Sequence, residues 1–167
     1  MAVPCEGMPL HSIYISERIT ERKLLLAKHN VLVGEQDQAL FEAILLDVTK
    51  GDDSLGAVYS LTLDDESCVV CQHLGSSLVV MAVGMGDMDE LVLGQVTEAV
   101  RTIILALLAQ AGSRSDGNTA EDSINAQSLL SPNIYGMLSL CLDEMAPDGI
   151  LDCLDPQSIL LAAKLKL

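Results

Sequence analysis

Tryptophan is absent from this 167-residue chain, and aromatic residues of any kind are scarce, with one Phe and three Tyr. The core must therefore be aliphatic, built from Leu, Ile, Val, Ala and Met. Basic residues are scarce too: 9 Lys and Arg stand against 24 Asp and Glu, a formal net charge of -15. Nucleic-acid binders carry clustered Lys and Arg that neutralise phosphates, and unaided adhesion to anionic lipid needs a polybasic segment. The balance argues against both. The five cysteines are an odd number without the spacing of a disulfide framework. Residues 1–10 (MAVPCEGMPL) hold Pro4, Glu6 and Pro9 and no apolar h-region, so they do not read as a signal peptide. The most apolar segment, Leu91 to Ala111, carries Gln95, Glu98, Arg101 and Gln110 and is too polar to expect a membrane span. A reduced, soluble, cytosolic protein is the expectation.

Half of the residues are apolar, far more than in an acidic disordered chain. The length suits one domain with a real core. A mean hydropathy of +0.38 is high for so charged a chain; apolar residues are concentrated in buried elements, or some of them await a partner. The acidity serves solubility or complements a basic partner surface.

Periodicity orders the elements. His11 to Ser16 (HSIYIS) reads as a strand, and Lys23 to Val33 as a second that ends near His29. Glu35 to Val48 reads as a helix whose apolar stripe is Ala39, Leu40, Ala43 and Ile44, with Asp47 near it and Phe41, Leu45 and Val48 widening it. Ala57 to Leu63 and Ser67 to His73 are strands, Leu74 to Ser77 a hairpin turn, and Leu78 to Val83 (LVVMAV) a strand whose unbroken apolarity predicts burial on both faces. Gly84 to Gly86 ends it. Asp87, with Glu90 three residues on, is the expected cap of a long helix reaching Ala111. Its stripe is Leu93, Val96, Val100, Ile103, Ile104, Leu107 and Leu108, and Gly112 stops it. Residues 112–128 are polar and Gly/Ser-containing, an expected flexible loop. Leu129 to Met145 resumes helical spacing, Pro147-Asp148-Gly149 turns, Ile150 to Leu154 is extended, and Asp155-Pro156 caps and opens a last helix. The expected fold class is mixed α/β: an antiparallel sheet of five strands flanked by helices. The expected organisation is an N-terminal tail over 1–10 and a single domain over 11–165.

Residue runs narrow this further. Val69 to Leu93 (VVCQHLGSSLVVMAVGMGDMDELVL) resembles the hairpin and acidic helix entry of coatomer zeta chains. Leu138 to Ile159 (LSLCLDEMAPDGILDCLDPQSI) resembles them again, with Asp143-Glu144, Asp148-Gly149, Ile150-Leu151 and Asp155-Pro156-Gln157 in the same order. Lys23 to Lys28 (KLLLAK) looks like the second strand of that family and Glu35 to Leu46 like its first helix. The likeness spans about residues 11 to 160 and includes adaptor sigma chains, which share the Asp-Glu pair. The sequence departs in having His29-Asn30 where the family has an aromatic pair, in the long 112–128 loop, and in a shorter C-terminal helix. It is therefore also similar to what a divergent relative would show, such as the small subunit of the TSET/TPLATE coat.

The resemblance implies a longin-like fold and a non-enzymatic scaffolding role in vesicle-mediated transport. The implied partners are a large α-solenoid subunit of adaptin or gamma-coatomer type and other coat subunits, with membrane contact only through the complex. The implied location is cytoplasmic, peripheral on Golgi, endosomal or plasma-membrane coats. No cofactor or metal is implied. Phe41 and Leu45 of the first helix, with an exposed sheet edge, are the expected partner surface. Another reading of the same fold is a longin- or roadblock-type regulator in a small-GTPase or tethering complex; a longin SNARE is disfavoured because no heptad coiled coil follows.

Chemistry offers little. Cys68-x-x-Cys71, with His73 nearby, would need both thiols to converge for zinc or redox use; residues three apart on a strand face opposite ways. A small enzyme using Cys68 or Cys71 is the third reading, weaker for that reason. Gly84-Met85-Gly86 stands where phosphate loops occur, but Asp87, Asp89 and Glu90 would repel a phosphate and no Lys follows. Asp52-Asp53, Asp64-Asp65 and Asp143-Glu144 lack a spaced third ligand and read as solvated charges. His11, His29 and His73 have no fixed relation to a nucleophile.

Overall fold

A computed structural model describes residues 9–18, 24–29, 35–48, 58–62, 67–85, 88–111 and 124–167. Strands β1 (Ser12–Glu17) and β2 (Leu24–His29) precede helix α1 (Glu35–Val48). Strands β3 (Val58–Thr62), β4 (Ser67–Leu74) and β5 (Leu78–Met85) follow. Helices α2 (Glu90–Gln110), α3 (Ala126–Leu130), α4 (Pro132–Met145) and α5 (Pro156–Lys164) complete the chain. The five strands form one sheet in the order β2-β1-β5-β4-β3, every neighbouring pair antiparallel. This is the mixed α/β, longin-like arrangement the element order predicts.

Strand β5 is central, and its continuous apolar run behaves accordingly: Leu78 to Val83 are all fully buried. Alternation sends Leu78, Val80 and Ala82 to one core and Val79, Met81 and Val83 to another. The larger core lies under α2, α4 and α5. There α2 buries ten residues, among them the whole predicted stripe from Leu93 to Leu108. By length and composition α2 could cross a membrane, but here its apolar side is packed on β4 and β5. Gln72 of β4 fixes this packing: its Oε1 accepts from the Thr97 hydroxyl at 2.9 Å, and its amide donates to Glu98.

The smaller core, on the opposite sheet face, is a cross-strand row. Tyr14 of β1 pairs with Met81 of β5, Met81 with Cys71 of β4, and Cys71 with Tyr59 of β3. All four are buried, together with Val69, Val79, Val83 and Leu45.

Local details differ from the expectations or lie partly outside the described residues. The cap of α2 is Asp89, whose carboxylate accepts from the Val92 amide at 2.9 Å; Asp87 lies outside the described residues. The strand does not stop at Gly84 but runs to Met85. A Cβ on Gly84 would stand 3.0 Å from Met88 Cβ, Cγ and Sδ, so the glycine permits a close approach. The helix expected over Leu129 to Met145 is two helices, because Pro132 has no amide hydrogen and its ring would strike the carbonyl four residues back; it opens α4 instead. Of the expected 112–128 loop, 112–123 lie outside the described residues, and Ala126 to Ser128 belong to α3. Leu10, at the end of the expected tail, is buried, and its amide donates to Gly149 O at 2.9 Å.

Candidate functional site

Helix α1 presents a face other than the one its stripe predicts. Leu40 is 62% exposed and Ile44 44%, and Ala39 and Ala43 are exposed beside them. Toward the sheet the helix turns Gln38, Phe41, Glu42 and Leu45, spaced i, i+3, i+4 and i+7. Both stripes have helical spacing, and polarity on the sheet decides between them. Tyr14 brings a phenol into the small core, and His29 brings an imidazole to the end of β2; buried polar groups of this kind need hydrogen-bond partners. The Tyr14 oxygen lies 3.0 Å from His29 Nε2. The same Nε2 lies 3.0 Å from Glu42 Oε1, which also accepts from the Gln38 amide at 3.2 Å. His11 and Tyr14 set their rings against Phe41, at centroid distances of 5.0 and 6.3 Å. Burial pushes the Tyr14 phenol well above the usual tyrosine range, and the nearby Glu42 carboxylate adds to that, against a lowering contribution from Ser12.

Phe41 and Leu45, expected to meet a partner, are thus placed against the sheet: Leu45 is fully buried and Phe41 half-buried. A buried Leu contributes about 2 kcal/mol; here that anchors the helix. Among the described residues of α1 the large exposed apolar side chains are Leu40 and Ile44, which periodicity assigned to the core.

The acidic pair Asp143-Glu144 at the end of α4 is taken up within the chain. Lys28 of β2 pairs with Asp143, and Lys166 with Glu144. The Lys166 ammonium is held above its usual range by that hydrogen bond and by the charge of Glu144. Cys68 and Cys71 face opposite sides of the sheet, as strand alternation requires. Cys68 packs beside the large core with its thiol toward Met88 O at 3.7 Å, and Cys71 lies in the small core. Burial raises the Cys68 thiol, with Glu90 and Asp89 adding to it. Among the described residues no three His, Cys, Asp or Glu side chains gather as a metal site.

A cleft of about 270 Å³ lies where Glu17, the β4–β5 turn at Ser77 and Leu78, and Asn125 to Gln127 at the start of α3 meet. It is remote in sequence from the α1 surface and brings together one carboxylate and short polar groups. Further exposed apolar side chains are Leu161 on α5 and Leu165 just after it.

No protein-family model matches the chain, and no curated protein matches it. Sixteen chains among solved structures match its fold. One belongs to a structure described as a homology model of the full-length AP-3 complex in a stretched open conformation. It superposes with a TM-score of 0.60 at 12% identity, covering 94% of this chain and 92% of that one. The two share a fold from end to end.

Proposed function

We propose that this chain is a non-enzymatic small subunit of a cytosolic vesicle-coat or adaptor complex, built to bind a large α-solenoid subunit. The observation that carries the reading is the end-to-end likeness to a chain of an AP-3 complex, covering 94% of this chain and 92% of that one. A scaffold subunit needs the whole domain, and the likeness is to the whole domain. The zeta- and sigma-like runs at Val69–Leu93 and Leu138–Ile159 support it independently.

In this reading Leu40 and Ile44 of α1 form part of the partner surface, because they are apolar, adjacent and exposed. Phe41 and Leu45 act beneath them as anchors. The net charge of -15 suits a basic partner face, and the chain reaches a membrane through the complex rather than by itself.

The test is purification of the tagged chain from its own cells under gentle conditions, with co-purifying proteins identified. Stoichiometric recovery of a large helical-repeat subunit with a medium chain is expected, and Leu40→Glu with Ile44→Glu should reduce it. Recovery of a small GTPase and tethering factors instead would replace the coat reading with the regulator reading.

A further inference from the structure

Among the described residues, the two faces of the sheet are covered unequally. On one, α2 alone buries ten residues. On the other, among the described side chains of α1, Gln38 to Asp47, only Leu45 is fully buried. The helix also meets the sheet through the half-buried ring of Phe41 and a polar chain from Tyr14 through His29 to Glu42 and Gln38. Helix termini and weakly packed elements open at lower free energy than the core. Hydrogen bonds to a charged group are among the stronger polar contacts.

We infer that α1 is a releasable strap over the small-core face, latched by the His29–Glu42 contact, and that it lifts while the sheet and the large core stay folded. Lifting breaks the bond between Glu42 and His29 and withdraws Leu45 from the small core. What it uncovers is the apolar cross-strand row from Tyr14 to Tyr59 with the Cys71 thiol at its middle. The inference stands apart from the coat-subunit reading, since it uses only the packing of this chain.

The chain carries its own reporters. Cys71 is fully buried in the small core, to which Leu45 of α1 also belongs, and Cys141 of α4 is fully buried in the large core. Lifting of α1 exposes only the first, whereas global unfolding exposes both. The experiment is alkylation of the native full chain with N-ethylmaleimide, with labelling rates at each thiol read by mass spectrometry. Cys71 is expected to react at least about tenfold faster than Cys141, as sub-global opening requires. Glu42→Ala, which removes the acceptor without weakening helix propensity, should raise the Cys71 rate about tenfold more and leave Cys141 unchanged. His29→Gln should act in the same direction, and Leu40→Ala, on the exposed side, should change neither rate. Equal rates at the two thiols overturn the inference. So does a faster Cys71 that is indifferent to both Glu42→Ala and His29→Gln, because that pattern belongs to fraying of the edge strand β3 rather than to the latch.

Discussion

The phenol oxygen of Tyr14 lies 3.0 Å from Nε2 of His29, linking the inner strand β1 to the edge strand β2 at the level where α1 crosses them. His29 makes this contact polar, and α1 answers it with Glu42, whose Oε1 lies 3.0 Å from His29 Nε2. Tyr14→Phe keeps the ring and removes the hydroxyl. It should lower stability by about 1 kcal/mol, seen as a lower denaturant midpoint at unchanged slope.

The same tyrosine gives a pH prediction. Its folded-state pKa is raised, chiefly by burial, so the folded state favours the neutral phenol. That contribution to stability is fully present below the unfolded value of about 10 and is lost as pH rises above it. An ultraviolet titration of tyrosinate should show a step that comes only with alkaline unfolding. In Tyr14→Phe the amplitude of that late step should fall.

Leu45 and Leu40 lie five residues apart on one helix and should behave oppositely. Leu45→Ala opens a cavity in the small core and should destabilise by about 2–5 kcal/mol. Leu40→Ala, at 62% exposure, should stay within about 0.5 kcal/mol. Chemical denaturation of the two variants side by side checks this. A larger loss in Leu40→Ala than in Leu45→Ala would mean that the predicted stripe, not the observed one, faces the sheet.

Gly84 should not tolerate a side chain. The added methyl of Gly84→Ala meets Met88 Cβ at 3.0 Å, next to backbone that cannot swing away, and overpacking of this kind costs roughly 1–3 kcal/mol. Shortening Met88 to Ala leaves its Cβ in place but frees the room taken by Cγ and Sδ. The double variant should therefore lose less than the sum of the two single ones, which a double-mutant cycle measures.

Two aspartates close helix starts. Asp89→Ala removes the acceptor for the Val92 amide and should cost about 1 kcal/mol. The Asp155 carboxyl is held below its usual range, first by the Ser158 hydroxyl and then by the Ser158 amide. Its folded-state pKa is lowered, so its contribution is present above about pH 4 and fades as pH falls through the folded value. A carboxyl-resolved NMR titration should find Asp155 below an ordinary aspartate, and Ser158→Ala should move it back up.

Much of the fold was legible because it rests on local periods. β5 announced its central place by having no polar residue from Leu78 to Val83, and α2 announced its core side by a stripe that is buried to the last member. Asp155-Pro156 marked a helix start that the structure bears out. The misplaced features share another character. Asp89 rather than Asp87 caps α2: Asp87 has the Glu three residues on, but an aspartate caps without it, and the extended backbone at Asp89, φ -89 and ψ 169, with its bond from the Val92 amide settles the position. Helical spacing runs through Leu129 to Met145 without a gap, yet Pro132 lies inside it, and the structure ends α3 at Leu130 and opens α4 at Pro132.

The sequence by itself determined the class of this protein: an acidic, aliphatic-cored α/β domain with a central apolar strand and one long helix on it. Hydrophobic period and breaker residues suffice for that, because they act within a few residues along the chain. Only the tertiary structure decided which side of α1 is inside. Two stripes of helical spacing compete on that helix, one wholly apolar and one half polar, and the choice falls to hydrogen-bonding groups on β1 and β2, His29 lying 13 residues from Glu42. Tyr14 and His29 need polar partners when buried, Gln38 and Glu42 supply them, and Leu40 and Ile44 are thereby left facing outward.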